Sequence, residues 1–136
     1  DISEKDAYQE IEDRLGIQAL RLNDKPQDMV LEKVYIDDVM GEAQMEFRYQ
    51  DRIFMIYENK QNDDSAFARQ TDGEIVDEVD MFYLNEKAKV FKIDKGDGGY
   101  SYEVQFKQGN AYYYVNSDLD LEEFEQIIMG IIFENV

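Results

Sequence analysis

The sequence of 136 residues contains no cysteine and no histidine, and these two absences narrow its possible chemistry. A disulfide framework is impossible, and almost every structural zinc site is excluded, because such sites are built from Cys and His ligands. The commonest general base of enzymes is also missing, together with the Ser-His and Cys-His pairs that activate nucleophiles. We therefore expect no enzyme activity, no catalytic residue, no metal site and no cofactor.

Basic residues are scarce as well: 14 Lys and Arg stand against 32 Asp and Glu, which gives a formal net charge of -18. Nucleic acid is not expected as a partner, because phosphate binding needs a basic surface. An anionic membrane surface would also repel this chain. The charge is typical of a soluble, self-repelling domain. The alternative is an acidic docking surface for a basic partner or for cations.

Long hydrophobic runs are missing too. The longest, "IIMGIIF" at 127–133, is far shorter than the roughly 18 apolar residues of a membrane-spanning helix. The length predicts a single domain over 1–136, and the hydrophobic fraction of 43% is enough for a core. Because the chain starts at Asp1 rather than Met, we expect a processed or trimmed chain, with any signal peptide or anchor upstream.

Helical periodicity is found near both ends of the chain. The first helix is predicted over 3–15, with Ser3 as its cap and Gly16 ending it. The second is predicted over 120–133, with Asp120 as the N-cap. Its wide apolar stripe indicates packing on a sheet, with docking to a partner as the alternative. The stripe consists of Leu121, Phe124, Ile127, Ile128, Ile131 and Ile132.

Between the helices, over 17–116, the pattern alternates with the period of two that is typical of strands. A turn at Met40-Gly41 would place Ile36 opposite Met45 and Val34 opposite Phe47, which brings apolar side chains to one face. The next strand, "IFMIYE" at 53–58, is apolar on both sides and is expected at the centre of the sheet.

Further strands are predicted over 75–84 and 88–93, with a turn near Asn85–Lys87. A hairpin is predicted over 100–107 and 111–116 with Gly109-Asn110 as its two-residue turn, which pairs Phe106 with Tyr113 and Val104 with Val115. The expected fold class is α+β, an antiparallel β-meander sheet of about six to eight strands with N-terminal and C-terminal helices packed on it.

Two polar segments are expected to be loops. Asn59–Glu74 is either a mobile functional loop or hides a short element around Phe67. The stretch "DKGDGGYSYEVQF" at 94–106 has the wrong residues for an EF-hand, because Gly96 and Gln105 stand where ligands are needed. We interpret it as a Gly-rich turn followed by a core strand. An irregular calcium site that uses Asp94 and Asp97 is the alternative.

The candidate binding residues lie on the late hairpin. Tyr112 is expected to face Lys107, and Tyr114 to face Gln105, on the side of the sheet away from the apolar set. Tyrosines on a half-exposed sheet face bind sugars or peptides, because they offer flat area and a hydroxyl. The alternative is that a helix covers them. A hydrolase with paired carboxylates ranks behind a binding function, because acid clusters are expected in so acidic a chain.

Four motifs, in this order, carry a family resemblance: "LEKVYI", "MEFRYQDRIFMIYE", "GGYSYEVQF" and "LDLEEFEQIIMGI". The chain resembles the bacterial family catalogued as domain of unknown function 4367. Gly99, Tyr100 and Tyr102 match its Gly-Tyr-x-Tyr strand, and Leu121–Ile128 matches its helix that opens in acids. The resemblance would cover nearly the whole chain, although its motifs are structural ones.

The resemblance implies a domain outside the cytoplasm of Gram-positive bacteria, often after a single membrane span and in some cases behind anti-sigma-like segments. It carries over no catalytic residues. We therefore expect a non-enzymatic sensor or binding domain at the cell surface, anchored by a segment upstream of Asp1. Its partner would be a protein or a small extracellular ligand. The alternative is a soluble acidic interaction protein that binds a basic protein partner.

Overall fold

The computed structural model describes residues 3–60 and 73–133 and has an α+β fold. An antiparallel sheet is flanked by an N-terminal and a C-terminal helix, which confirms the predicted fold class. Helix α1 spans Glu4–Leu15 and helix α2 spans Leu121–Met129. The strands are β1 (Arg21–Leu22), β2 (Val30–Asp37), β3 (Glu42–Tyr49), β4 (Arg52–Lys60), β5 (Glu74–Met81), β6 (Glu86–Asp94), β7 (Tyr100–Gln108), β8 (Ala111–Ser117) and β9 (Ile131–Ile132).

The main sheet has seven strands in the order β2-β3-β4-β8-β7-β6-β5, and every neighbouring pair is antiparallel. The first three strands form one meander, and the last four form another that runs from the far edge back to the middle. The two meanders meet where β4 pairs with β8. The strand predicted to be central, β4, indeed lies inside the sheet, between β3 and β8.

Helix α1 forms where the sequence predicts it. The Ser3 hydroxyl oxygen accepts a hydrogen bond from the Asp6 amide at 3.3 Å, which satisfies one of the free N–H groups of the first turn. Gly16 ends the helix with φ at 69°, a left-handed conformation that glycine adopts without strain. The buried side chains of α1 are those of the predicted apolar face, namely Ala7, Tyr8, Ile11 and Leu15.

One hydrophobic core joins both helices to the same face of the sheet. Phe124 of α2 is fully buried, and its ring centroid lies 6.0 Å from that of Phe54 and 6.1 Å from that of Tyr102. Phe47 meets Phe54 edge-on at 6.5 Å. These aromatic contacts bind α2 to strands of both meanders, because Phe54 is on β4 and Tyr102 is on β7.

The second helix is shorter than predicted. It ends at Met129 instead of continuing to residue 133, and Ile131–Ile132 form strand β9, which pairs with β1. The Asn23 amide donates to the Gly130 carbonyl at 3.2 Å, and the Arg21 guanidinium donates to the Phe133 carbonyl at 2.6 Å. The apolar stripe of the sequence continues past the end of the helix because its last two members, Ile131 and Ile132, form β9, where Ile131 is fully buried.

Asp120 precedes α2 as predicted, but its side chain makes no capping hydrogen bond among the described residues. The neighbouring Asp118 instead contacts the sheet, because its carboxylate accepts from the Ile53 amide of β4 at 2.9 Å. Asp118 therefore fixes the connection from β8 to the sheet.

The first hairpin is shifted by two residues from its predicted pairing. Val34 lies opposite Met45, and Ile36 lies opposite Ala43, so the expected pairs of Ile36 with Met45 and Val34 with Phe47 are wrong. The turn contains four residues, because the Asp37 carboxylate accepts from the amides of Val39 and Met40, both at 3.0 Å. A shift by an even number leaves each side chain on its predicted face.

The second meander follows the sequence more closely. The late hairpin pairs Phe106 with Tyr113 and Val104 with Val115, as predicted. The strand predicted over 75–84 ends earlier, at Met81, because the chain turns where the Leu84 amide donates to the Met81 carbonyl at 3.1 Å. Of the predicted loop Asn59–Glu74, the ends belong to β4 and β5. Residues 61–72, including Phe67, lie outside the described residues.

The stretch over 94–106 is a Gly-rich turn that leads into β7, as interpreted from the sequence. Gly96 and Gly98 have φ of 81° and 86°. The carboxylates of Asp94 and Asp97 accept from the amides of Gly96 and Gly99, each at 2.9 Å. Across residues 3–60 and 73–133, no cluster of three or more acidic side chains could hold a metal ion. Neither described helix is long and apolar enough to cross a membrane.

Replacing Phe124 with Ala should lower the free energy of unfolding by about 3–5 kcal/mol, because a fully buried ring is lost and a cavity remains. Phe82→Ala is the matched control, since the same change at a side chain 68% exposed should alter stability by less than ~0.5 kcal/mol. Urea unfolding followed by circular dichroism measures both values. Equal losses of stability in the two variants would contradict the inference that the Phe124 ring contributes more to the core than the exposed Phe82 ring does.

Candidate functional site

The main sheet presents two chemically different faces. One face packs against the helices and carries fully buried side chains such as Ile56, Val104 and Val115. On the opposite face, a row of side chains crosses five strands, each residue directly opposite the next. In order across the sheet, the row is Tyr35 (β2), Gln44 (β3), Tyr57 (β4), Tyr114 (β8) and Gln105 (β7). We call this side of the sheet the tyrosine face.

A buried carboxylate organises the β7–β8 part of the tyrosine face. Glu103 is only 1% exposed. Its two oxygens accept hydrogen bonds from the Tyr114 hydroxyl, from Asn116 at 3.3 Å and from Gln105 at 3.1 Å. Three donors satisfy a carboxylate that would otherwise be costly to bury. The hydroxyl of Tyr114 is therefore engaged, and its ring is held in one orientation.

The four residues predicted for binding all lie on the tyrosine face. Tyr112 is opposite Lys107, and Tyr114 is opposite Gln105, as expected from the hairpin register. Tyr114 is buried, Tyr112 and Gln105 are half-buried and Lys107 is exposed. The Lys107 ammonium lies 5.9 Å from the centre of the Tyr112 ring. Their role in binding stays a prediction.

Sequence reasoning missed the first meander's contribution to this face. The Tyr57 ring is 5.3 Å from the Tyr114 ring, with the two planes at 67°. Tyr35 and Gln44 extend the row to the sheet edge. The alternation placed Tyr35 away from the apolar side, but the strand of Tyr57 is apolar on both sides, so its face was left open. What the sequence did not disclose was that β4 pairs with β8.

A cavity of about 250 Å³ opens on this face over the first meander and β8. Because side chains alternate along a strand, Ala43 and Glu58 contribute main chain to its lining while their side chains point to the helices. At the rim, the Asn59 amide donates to the Glu42 carboxylate at 3.4 Å. The side chains that line the cavity are those of Tyr35, Glu42, Gln44, Tyr57, Asn59 and Tyr114.

Larger surface depressions, of about 290, 480 and 610 Å³, lie elsewhere. Each contains a lysine that already has a partner. In the first of them, the Lys87 ammonium lies 3.9 Å from the Glu78 carboxylate. The Lys92 ammonium lies 4.4 Å from the centre of the Tyr100 ring, and the Lys25 ammonium lies 3.5 Å from the Glu4 carboxylate. The smaller cavity is the better candidate, because aromatic rings and amide groups converge on it.

Glu58 is a second buried carboxyl, on the helix side of β4. One of its oxygens accepts from the Leu20 amide at 2.7 Å, and the other has no hydrogen-bond partner among the described residues. Burial raises its pKa to about 8, although the hydrogen bond from the Leu20 amide opposes this shift; the nearby Glu12 carboxylate raises the pKa further and Arg21 lowers it. Glu58 is therefore mostly protonated at neutral pH. Because it is 1% exposed and its side chain points away from the cavity, we assign it no role there.

Glu125 of α2 and Asp77 of the edge strand β5 form a carboxyl–carboxylate pair. Burial, and then the hydrogen bond to Asp77, raises the pKa of Glu125 to about 7. The same hydrogen bond, with a further one from the Glu78 amide, lowers the pKa of Asp77. Protonated Glu125 donates to the Asp77 carboxylate, so this link between α2 and β5 weakens as pH rises through the raised pKa of Glu125.

Replacing Glu58 with Gln should reduce the loss of stability that accompanies a rise in pH from 4.5 to about 8. The unfolded chain ionises Glu58 near its usual pKa, whereas the folded protein keeps the proton, so the folded state binds more protons in this window. The stabilisation that this proton provides is fully present below the usual pKa of 4.5, and it is lost as pH rises through the raised pKa of about 8. The amide of the Glu58→Gln variant stays neutral throughout, so its melting temperature relative to the wild type should increase by several degrees across the window.

Thermal unfolding at a series of pH values measures this difference. Subtraction of the wild-type curve removes the separate contribution of Glu125, which both proteins retain. Glu86→Gln is the control for the change from a carboxyl to an amide, because Glu86 is exposed rather than buried. A constant difference between Glu58→Gln and wild type across the window would contradict a buried proton at Glu58.

Comparisons with models of protein families, with curated proteins and with solved structures found no match. The resemblance to domain of unknown function 4367 therefore stays a prediction from the sequence motifs. The function of the site has to be argued from its geometry and charge.

Proposed function

We propose that this chain is a non-enzymatic binding domain that recognises a small ligand or a protein segment on its tyrosine face. The observation that carries the proposal is the cavity of about 250 Å³, which is lined by Tyr35, Tyr57 and Tyr114. Tyrosines supply large contact areas at a low cost in conformational entropy, and the amides of Gln44 and Asn59 add polar contacts. Concave aromatic sites with a few polar groups are typical of ligand binding.

Support for a non-enzymatic role comes from how the carboxyl groups are used. Glu103 is held by three donors within its own face. Glu58 is sealed on the helix side of the sheet. Among the described residues that line the cavity, this leaves the Glu42 carboxylate at the rim. The hydrolases considered from the sequence need a pair of carboxyls that flank the substrate bond.

We further propose that the domain works outside the cytoplasm, at the surface of a Gram-positive bacterium, in a protein anchored to the membrane upstream of Asp1. The support is the sequence resemblance at Gly99, Tyr100 and Tyr102 and at Leu121–Ile128. In such a parent protein, the domain would report the presence of an extracellular ligand or partner.

A second candidate function is a soluble interaction protein that binds a basic partner. The net charge of -18 favours it. The sheet edge adds a more specific observation, because β5 carries Glu74, Asp77, Glu78 and Asp80 and no basic residue. An edge strand also offers unpaired backbone groups to an extended peptide.

Titration of the ¹⁵N-labelled protein tests both candidates in one experiment. The probes are maltotriose, chitotetraose, a Gly-Tyr-Gly peptide, choline and a polylysine peptide. We expect at least one small probe to shift the amides of Gln44, Tyr57 and Tyr114, and Tyr57→Ala to abolish the shifts. Shifts confined to β5 with polylysine, fading as salt rises, would favour the second candidate. If none of the probes shifts an amide on the tyrosine face, the first candidate is overturned.

The coding sequence upstream of Asp1 tests the proposed location. We expect about 20 consecutive apolar residues there, preceded by a basic cytoplasmic segment. A signal peptide that ends in a lipid-accepting Cys would equally fit a surface anchor. A start Met within a few residues of Asp1 would contradict the proposed location and strengthen the case for the acidic interaction protein.

A further inference from the structure

We propose that the cavity on the tyrosine face is an aromatic cage for an alkylammonium headgroup, such as a quaternary ammonium. The inference rests on the proposed binding role of this face and names the chemistry that the face would take.

The rings provide the walls of the cage. The rings of Tyr57 and Tyr114 are in edge-type contact, with centroids 5.3 Å apart and planes at 67°, so their faces point in different directions. Tyr35, on the neighbouring meander strand β2, lines the same cavity. The face of an aromatic ring carries a negative quadrupole, and several faces around one space attract a cation.

Charge around the cavity favours the same ligand. The Glu42 carboxylate stands at the rim, and no Lys or Arg is among the described residues that line the cavity. With a net charge of -18, the whole protein attracts cations and repels anions. An anionic or zwitterionic ligand with an exposed acid would meet this field unfavourably.

The hydrogen-bonding groups of the cavity are largely engaged within the chain. The Tyr114 hydroxyl donates to Glu103, and the Asn59 amide donates to Glu42. The Tyr35 hydroxyl donates to Asp37 at 3.4 Å. A sugar would have to displace several of these bonds, because it is recognised by its hydroxyl groups. An alkylammonium headgroup needs only the ring faces and the nearby carboxylate.

The volume of the cavity and two cation–π contacts elsewhere in the chain agree with this assignment. A volume of about 250 Å³ is below the ~300–1,000 Å³ of sites for drug-sized ligands, so it suits one headgroup. The chain already places cations on tyrosine rings elsewhere, with Lys92 on Tyr100 at 4.4 Å and Lys107 near Tyr112 at 5.9 Å. The cage would offer the same interaction to a cation from outside.

Isothermal titration with choline chloride tests the proposal, and the control ligand is dimethylbutanol, the neutral carbon isostere of choline. We expect choline to bind with a dissociation constant of about 1 mM or tighter, and the isostere to bind at least ~10-fold more weakly. A peptide with a trimethyllysine forms a second arm. Whichever of choline and the peptide binds more tightly identifies the source of the headgroup.

Variants separate the ring faces from general effects on folding. Tyr35→Leu should weaken binding about five- to thirty-fold, because one ring face is lost. Tyr83→Leu is the matched control, since the two tyrosines are 59% and 58% exposed and Tyr83 lies outside the cavity. Tyr57→Phe, which keeps the ring, should bind nearly as the wild type does, whereas Tyr57→Leu should not. Glu42→Gln should weaken choline binding and leave the isostere unaffected.

Equal binding of choline and its isostere would overturn the cage while leaving a ligand site on this face. If maltotriose or Gly-Tyr-Gly bound at the same amides and choline did not bind, the cage would also be overturned and a ligand site would remain. If choline bound with no dependence on Tyr35 or Tyr57, the cage would be excluded. If no probe perturbed the tyrosine face, both the cage and the proposed function would fail.

Discussion

The pairing of β4 with β8 is the interaction on which the rest of this fold depends. Seven residues of one strand, Phe54–Lys60, lie opposite Ala111–Ser117 of the other, and this ladder joins the two meanders into one sheet. On the helix side it brings Ile56 against Val115 in the core. On the other side it brings Tyr57 against Tyr114. Because the partners are distant in sequence, the pairing carries a large loop-closure cost that the buried core has to offset.

The features that the sequence predicted correctly are those that short-range chemistry decides. Helix α1 has a serine cap and a glycine end, and the late hairpin has Gly109 at its turn with φ at 59°. The misses arise where another part of the molecule intervenes. The Asp37 side chain closes a longer first turn than the pattern suggests. Helix α2 stops early because its continuation pairs with β1, where Arg21 reaches a carbonyl 112 positions away.

For the same reason, only Tyr114 of the four predicted binding residues lines the cavity, although all four lie on its face of the sheet. Tyr112 and Tyr114 share a hairpin with Gln105 and Lys107, so period-two alternation was enough to place all four on one face. Tyr35 and Tyr57 come from the other meander. Alternation gave the face of Tyr35 but not that of Tyr57, whose strand is apolar on both sides, and it gave the neighbours of neither. Glu58 illustrates a further limit. The alternating pattern did not indicate that this carboxyl is buried. The residue that contacts it, Leu20, is 38 positions away in the sequence.

The cavity also has a thermodynamic consequence, because it straddles the seam between the meanders. Its lining joins Tyr35, Gln44 and Tyr57 from the first meander to Tyr114 from the second. A ligand held there would contact both, and it would have no such site on a chain whose meanders were separated. Ligand binding would therefore stabilise the joined state by mass action. Above the dissociation constant, the added free energy of unfolding grows with the logarithm of the ligand concentration. Resistance to unfolding would then become a readout of ligand concentration, with no change of shape required.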